Sequence, residues 1–240
     1  MSKQNLILIH GLRGNHLGLA ELADYLKPYF NVFVPDIPPA GNKSLKEYSK
    51  DAYADFIADY IKTNKISHPI LVGHSMGSII AAAVAEKYSD LIDNKIVFLS
   101  PISIKPAKFF AMLTPLTAVL PNKLIGYITT KYMYMPHDKK LLKKVLAITY
   151  QCGSDYTTKN DVYQSAKFSA ACSIADLKFK KKALFLSGEK DRLIPLKKTE
   201  ALAKKLDAES DIIPNTGHLL NYEDPKTTAD KIIAFLKPPA

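Results

Sequence analysis

Ser75 stands out among the chain's nucleophilic side chains by its setting. It lies in Gly73-His74-Ser75-Met76-Gly77, behind the apolar run Ile70-Leu71-Val72 and ahead of Ser78-Ile79-Ile80-Ala81. An apolar strand, Gly-x-Ser-x-Gly and a small-residue helix make the pattern of a nucleophile elbow, which holds a serine on a sharp strand-to-helix turn. Gly73 and Gly77 lack Cβ atoms, so strand and helix are expected to approach closely and hold Ser75 in a strained backbone conformation. Ala81, Ala82, Ala83 and Ala85 let the helix pack tightly on a sheet. The pentapeptide alone is a common pattern; the strand before it and the helix after it make it informative.

A serine hydroxyl is a weak nucleophile: it needs a neighbouring base, and the base needs an orienting carboxylate. Position selects the partners, because functional groups of parallel sheets gather at the carboxyl ends of strands. His218, in Asn215-Thr216-Gly217-His218-Leu219-Leu220, follows the last predicted strand, and Asp191, in Gly188-Glu189-Lys190-Asp191, follows the fifth. Singly, a loop histidine is usually a surface residue and an aspartate before a proline-started helix is often a cap. Joint placement at strand ends, in the order Ser75, Asp191, His218, is what selects them. Glu189 is the reserve acid, and no acid closely follows the fourth strand. An oxyanion formed by attack on a carbonyl needs two aimed N–H groups. Met76, at the start of the elbow helix, offers one, and Leu12, in His10-Gly11-Leu12-Arg13-Gly14 after the first strand, offers the other. His10 is expected to pack its loop and His74 to point away from the site. His16, His68 and His137 have no legible partner.

Short apolar runs at 5–10, 31–35, 70–74, 95–100, 183–188 and 209–214 predict six strands. Helical spacing predicts helices over 17–30, over 44–64 with a Ser44/Glu47 capping box, from the elbow to 88, and over 195–206. A last helix over 225–236 opens on Asp224-Pro225, a cap and first-turn pair. Apolar strands alternating with helices imply an α/β fold with a parallel sheet covered on both faces. The stretch 102–182 breaks this rhythm with helical patterns only, among them 141–148 and 162–171, and reads as a helical cap inserted into a core of 1–101 and 183–240. Phe109, Met112 and Leu113 in that insertion, with Leu219 beside His218, are the candidate substrate-binding residues.

The 240 residues, 47% hydrophobic, suit one globular domain with an insertion. Cys152 and Cys172 are too few for a disulfide framework and lack metal-ligand spacing, so reduced thiols are expected. No stretch is long and apolar enough for a signal-peptide core or membrane span, which makes a cytoplasmic protein the expectation. The net charge of +10 sits in the insertion, where fourteen lysines face four acids; elsewhere nineteen basic and nineteen acidic residues cancel. The insertion's charge is lysine without arginine, so it lacks the fork used for bidentate phosphate and base contacts. A solvated surface is the plain reading, weak contact with an anionic membrane surface the alternative, and no nucleic-acid partner is expected.

His10-Gly11, Gly73-His74-Ser75-Met76-Gly77, Gly188-x-x-Asp191-x-x-x-Pro195 and Gly217-His218 together resemble the α/β-hydrolase superfamily, over the whole chain outside the cap. The resemblance implies a sheet of about six strands, without the two antiparallel strands that lead the usual eight-stranded sheet. It also implies a serine hydrolase of the esterase or lipase kind, acting on carboxylic esters without cofactor or metal, while the apolar residues of the cap predict a small, partly apolar substrate. Thioester, lactone, amide and carbon–carbon bond hydrolysis and perhydrolysis use the same three residues and stay open, as does a ligand-binding protein with little turnover.

Overall fold

Apolar runs with no polar face can be satisfied only when covered on both sides, and they build the centre of this molecule. The structure is a computed structural model that describes residues 3–104, 124, 127–128, 130–131, 139–153 and 158–237. Its strands are β1 (Gln4–Ile9), β2 (Phe30–Phe33), β3 (Ile70–His74), β4 (Lys95–Leu99), β5 (Lys182–Gly188) and β6 (Glu209–Ile213). They form one sheet in the order β2-β1-β3-β4-β5-β6, and every pairing is parallel. The helices are α1 (Ala20–Leu26), α2 (Lys50–Thr63), α3 (Met76–Lys87), α4 (Lys139–Gly153), α5 (Lys159–Ala171), α6 (Leu196–Lys205), α7 (Leu220–Glu223) and α8 (Pro225–Leu236).

Strand residues alternate between two cores. Ile7, Ile9, Leu71, Ile96 and Phe98 join Tyr53, Ile57 and Ile61 of α2 and Ile79, Ile80 and Val84 of α3. Leu6, Leu8, Val72, Val97 and Leu99 join Leu22 and Leu26 of α1 and Ile232 and Leu236 of α8. The strand order reverses direction at β1: the chain runs outward to β2, then crosses back to β3 and continues the other way. At such a switch point the loops leaving the two central strands diverge and open a crevice. Here those are the His10–Gly14 loop and the Ser75 turn.

Two glycines bring α3 onto the sheet. A Cβ on Gly73 would stand 2.3 Å from the Gly77 carbonyl oxygen, the strand-to-helix approach expected of the motif. A Cβ on Gly77 would stand 2.2 Å from the Ile9 carbonyl oxygen. Gly77 therefore admits the helix start against β1, the neighbouring strand, and ties the elbow to the strand whose loop faces Ser75.

Two helices differ from their sequence patterns. The stretch 17–30 divides into a 3-10 turn, His16–Leu19, capped by Asn15, and α1, which stops two residues short of Pro28. Helix α2 begins at Lys50, capped by the Ser49 hydroxyl, so the Ser44/Glu47 capping box does not form. Tertiary hydrogen bonds explain the later start. The Ser44 and Tyr48 hydroxyls donate to the Asp161 carboxylate of α5 at 3.2 and 2.8 Å, which holds residues 44–48 out of helical geometry. Helix α5 is packed into the molecule: Phe168 lies against Tyr53, ring centroids 4.9 Å apart, and Ser165 Oγ sits 2.9 Å from Tyr53 Oη.

A Gly77→Ala variant tests the backbone approach. With backbone rather than a flexible side chain in the way, the substitution should cost about 3 kcal/mol or more. A urea unfolding midpoint equal to that of the parent protein would show that α3 can stand off from β1.

Candidate active site

Ser75 sits at the end of β3 and caps α3 with φ +52° and ψ −117°. Few non-glycine residues hold such a backbone, at a cost on the order of 1–3 kcal/mol, and they do so where surrounding structure imposes it. The Ser75 N–H donates to the Leu99 carbonyl of β4 at 2.9 Å, and the next N–H but two, from Ser78, returns to the Ser75 carbonyl. The turn therefore projects the side chain at the carboxyl end of the sheet.

His218 and Asp191 converge on it. Asp191 follows β5, and its Oδ1 accepts the N–H groups of Leu193 (2.8 Å) and Ile194 (3.0 Å), which aims Oδ2 outward. His218 Nδ1–H donates to that Oδ2 at 2.8 Å, and Ser75 Oγ–H lies 2.8 Å from His218 Nε2. A carboxylate only accepts, so Nδ1 carries the proton and Nε2 presents its lone pair to the serine. The imidazole and carboxylate side chains are 1% and 2% exposed. Burial alone would raise the Asp191 carboxyl, but the His218 ring, its hydrogen bond and the Ile194 and Leu193 amides hold it below the usual carboxylate range. The structure thus brings Ser75, Asp191 and His218 together in one hydrogen-bonded line. Glu189 is elsewhere: it accepts the Asn215 N–H at 2.8 Å and joins the β5 and β6 loops.

The oxyanion candidates flank the serine. Met76 N–H is at the first position of α3, where no intrahelical acceptor exists. Leu12 lies in a turn closed by Gly14 N–H on the Gly11 carbonyl at 3.1 Å. That turn abuts the elbow, since a Cβ on Gly11 would be 3.1 Å from Ser75 Cβ. Leu219 is half-buried next to His218. Phe109, Met112, Leu113 and His137 lie outside the described residues, and Cys172 is not in a disulfide.

Other groups that support the site carry weak sequence signals. Glu223 accepts the N–H of Gly217 (2.8 Å) and of Leu219 (3.1 Å), the amides on either side of His218. Its place just ahead of Asp224-Pro225 reads only as the approach to a helix. His74 Nε2–H donates to the His218 carbonyl at 3.0 Å, so the elbow histidine points away from Ser75 Oγ but into the His218 loop. His10 packs its loop as expected: Nε2 accepts the Ile37 N–H at 2.9 Å and Nδ1–H donates to the Gly11 carbonyl at 2.9 Å. His16 pairs with Asp36 at 2.9 Å, a contact between the β1 and β2 loops that sequence spacing does not reveal. Among the described residues no cluster of histidine, cysteine, aspartate and glutamate could hold a metal ion, and no helix is long and apolar enough to cross a membrane.

A parallel sheet reversing at its first strand, with a strained serine between β3 and α3 and a His–Asp pair from the last two strand loops, is the architecture of one family. The chain matches the family model described as "Alpha/beta hydrolase family" over residues 6–231, and it belongs to that family. It is similar to the uncharacterized hydrolase YugF of Bacillus subtilis, 23% identical over 98% of this chain and 90% of that one. Lipase 3 of a Moraxella species is 28% identical over 96% of this chain and 76% of its own length. Among solved structures, a bromoperoxidase from Bacillus anthracis shares the fold with a TM-score of 0.87 at 16% identity, covering 98% of this chain and 92% of that one.

The buried histidines set an acid limit on stability. Burial lowers His10 from 6.5 to about 4, against the raising effect of its bond to the Gly11 carbonyl. The unfolded chain therefore takes up a proton near pH 6.5 that the folded chain refuses until about pH 4, so stability falls as pH drops through that window. The urea midpoint should decline between pH 7 and pH 4, and His10→Gln, which keeps an acceptor for Ile37 N–H, should flatten the decline. An identical pH profile in the variant would contradict the assignment.

Proposed function

We propose that this chain is a serine hydrolase that cleaves carboxylic esters of small, partly apolar molecules. The observation that supports it most is the Asp191–His218–Ser75 line, two 2.8 Å hydrogen bonds ending on a serine in a strained elbow. In this reading Ser75 Oγ attacks the ester carbonyl carbon while its proton passes to His218 Nε2. The oxyanion is held by the N–H groups of Leu12 and Met76, whose donors are fixed before charge develops. As the tetrahedral intermediate collapses, the imidazolium returns its proton to the departing alkoxide, leaving an acyl-Ser75 ester. Water, deprotonated by His218, then attacks that ester; as the acyl–Oγ bond breaks, the imidazolium returns its proton to Ser75 Oγ and the carboxylic acid is released. Asp191 holds the required tautomer throughout and stabilises the imidazolium. The chemistry needs no metal or cofactor.

Membership in a family that includes hydrolases, and a lipase among its relatives, supports an ester as the bond cleaved. We assign substrate selection to residues 102–182 as a cap, with Phe109, Met112 and Leu113 lining the acyl or alcohol pocket beside Leu219. The lysine excess of that segment favours substrates or surfaces that carry negative charge near the apolar group.

Hydrolysis of a short p-nitrophenyl ester tests the reading. Ser75→Ala should lower kcat by about a thousandfold or more, and Asp191→Asn, which reverses the tautomer preference, by up to about ten-thousandfold. Glu189→Gln should leave the rate within about twofold, because Glu189 bonds the Asn215 amide and not the imidazole. Full activity in Ser75→Ala would refute the assignment.

A further inference from the structure

Three backbone groups at Gly217, His218 and Leu219 meet side chains, and two of them are claimed by Glu223, which takes the N–H groups of Gly217 and Leu219. The third, the His218 carbonyl, is taken by a side chain from another strand: His74 Nε2–H reaches it at 3.0 Å. The two imidazoles lie 5.5 Å apart, centroid to centroid. On the other flank, a Cβ built on Gly11 would come within 3.1 Å of His74 Nδ1, so the ring also abuts the loop that carries Leu12. One buried ring thus bridges the loop of the base and the loop of the oxyanion donor, from the residue next to the nucleophile.

We propose that His74 is a positioning residue, whose single hydrogen bond to the His218 carbonyl and contact with Gly11 set His218 at the angle from which Nε2 meets Ser75 Oγ. The inference rests on the serine-hydrolase reading and adds to it a residue that touches no reacting atom. A carbonyl only accepts, so the proton of His74 must be on Nε2. Burial, helped by repulsion from His218, lowers the His74 ring to about 3, so it stays neutral while the neighbouring imidazole is charged during turnover. A small displacement of the His218 backbone tilts its ring away from the serine, and misplacement of about 1 Å can cost about a hundredfold in rate.

Three variants separate positioning from packing. His74→Phe keeps an aromatic ring without a donor. His74→Gln places an amide N–H about where Nε2 stands, and His74→Asn carries the same amide too short to reach. On a p-nitrophenyl ester, His74→Phe and His74→Asn should lower kcat about ten- to a hundredfold with KM within about twofold, whereas His74→Gln should recover to within about threefold of the parent. If His74→Phe does not fold, the Gln and Asn pair alone decides. Equal kcat for Gln and Asn, or parental kcat in a folded His74→Phe, would overturn the proposal. Ser75→Ala runs alongside: parental hydrolysis by it would remove the serine-hydrolase reading and this inference with it. Loss of activity in Ser75→Ala with parental activity in His74→Phe would remove the inference alone.

Discussion

Everything at this site depends on the close approach of α3 to two strands at once. Gly73 admits the backbone of Gly77, and Gly77 admits the carbonyl of Ile9, so the turn between them has no room to relax. That confinement is what keeps Ser75 at φ +52°, a conformation that an unconstrained serine would abandon. Because Gly77 touches β1, the same packing fixes the distance from Ser75 to the loop of Leu12. The positions of Ser75 and of the Leu12 loop are therefore set by a single backbone contact. His218 and Asp191 arrive separately, on loops after β6 and β5, and their loops are tied by Glu189, Glu223 and His74.

Helix α5, in the segment between β4 and β5, is bonded to the rest of the molecule. Asp161 of α5 gathers the Ser44, Tyr48 and Thr158 hydroxyls, and Ser165 Oγ lies 3.4 Å from Met76 Sδ. Buried polar groups are costly unless bonded, so these contacts hold α5 in one register over α2 and the elbow. The side chain of a proposed oxyanion residue is thus packed from the segment to which substrate selection is assigned. Among the described residues of that segment, Lys139, Lys140, Lys143 and Lys144 of α4 are exposed, and Lys144 pairs with Glu21 of α1.

Much of this was legible in the sequence because period and position are local signals. Six apolar runs became six parallel strands, with ends shifted by a residue or two, and the Asp224-Pro225 start of α8 formed as read, Asp224 accepting the Thr227 N–H. Ser75, Asp191 and His218 could be selected because strand ends converge in a parallel sheet. What the sequence left hidden is tertiary. The start of α2 moved to Lys50 because Asp161, more than a hundred residues away, captures Ser44 and Tyr48. Glu223 and His74 act on the His218 loop through contacts that no spacing encodes. Phe109, Met112 and Leu113 remain a matter of sequence pattern, outside the described residues.

The proposed hydrolysis requires that Ser75 is a nucleophile activated by His218. Reaction with a fluorophosphonate, followed by peptide mass spectrometry, reads this directly, because the phosphorus is attacked only by an activated hydroxyl. One adduct per chain is expected, located on Ser75, with near-complete loss in His218→Ala. An adduct on another residue, or equal labelling of Ser75 without His218, would contradict it.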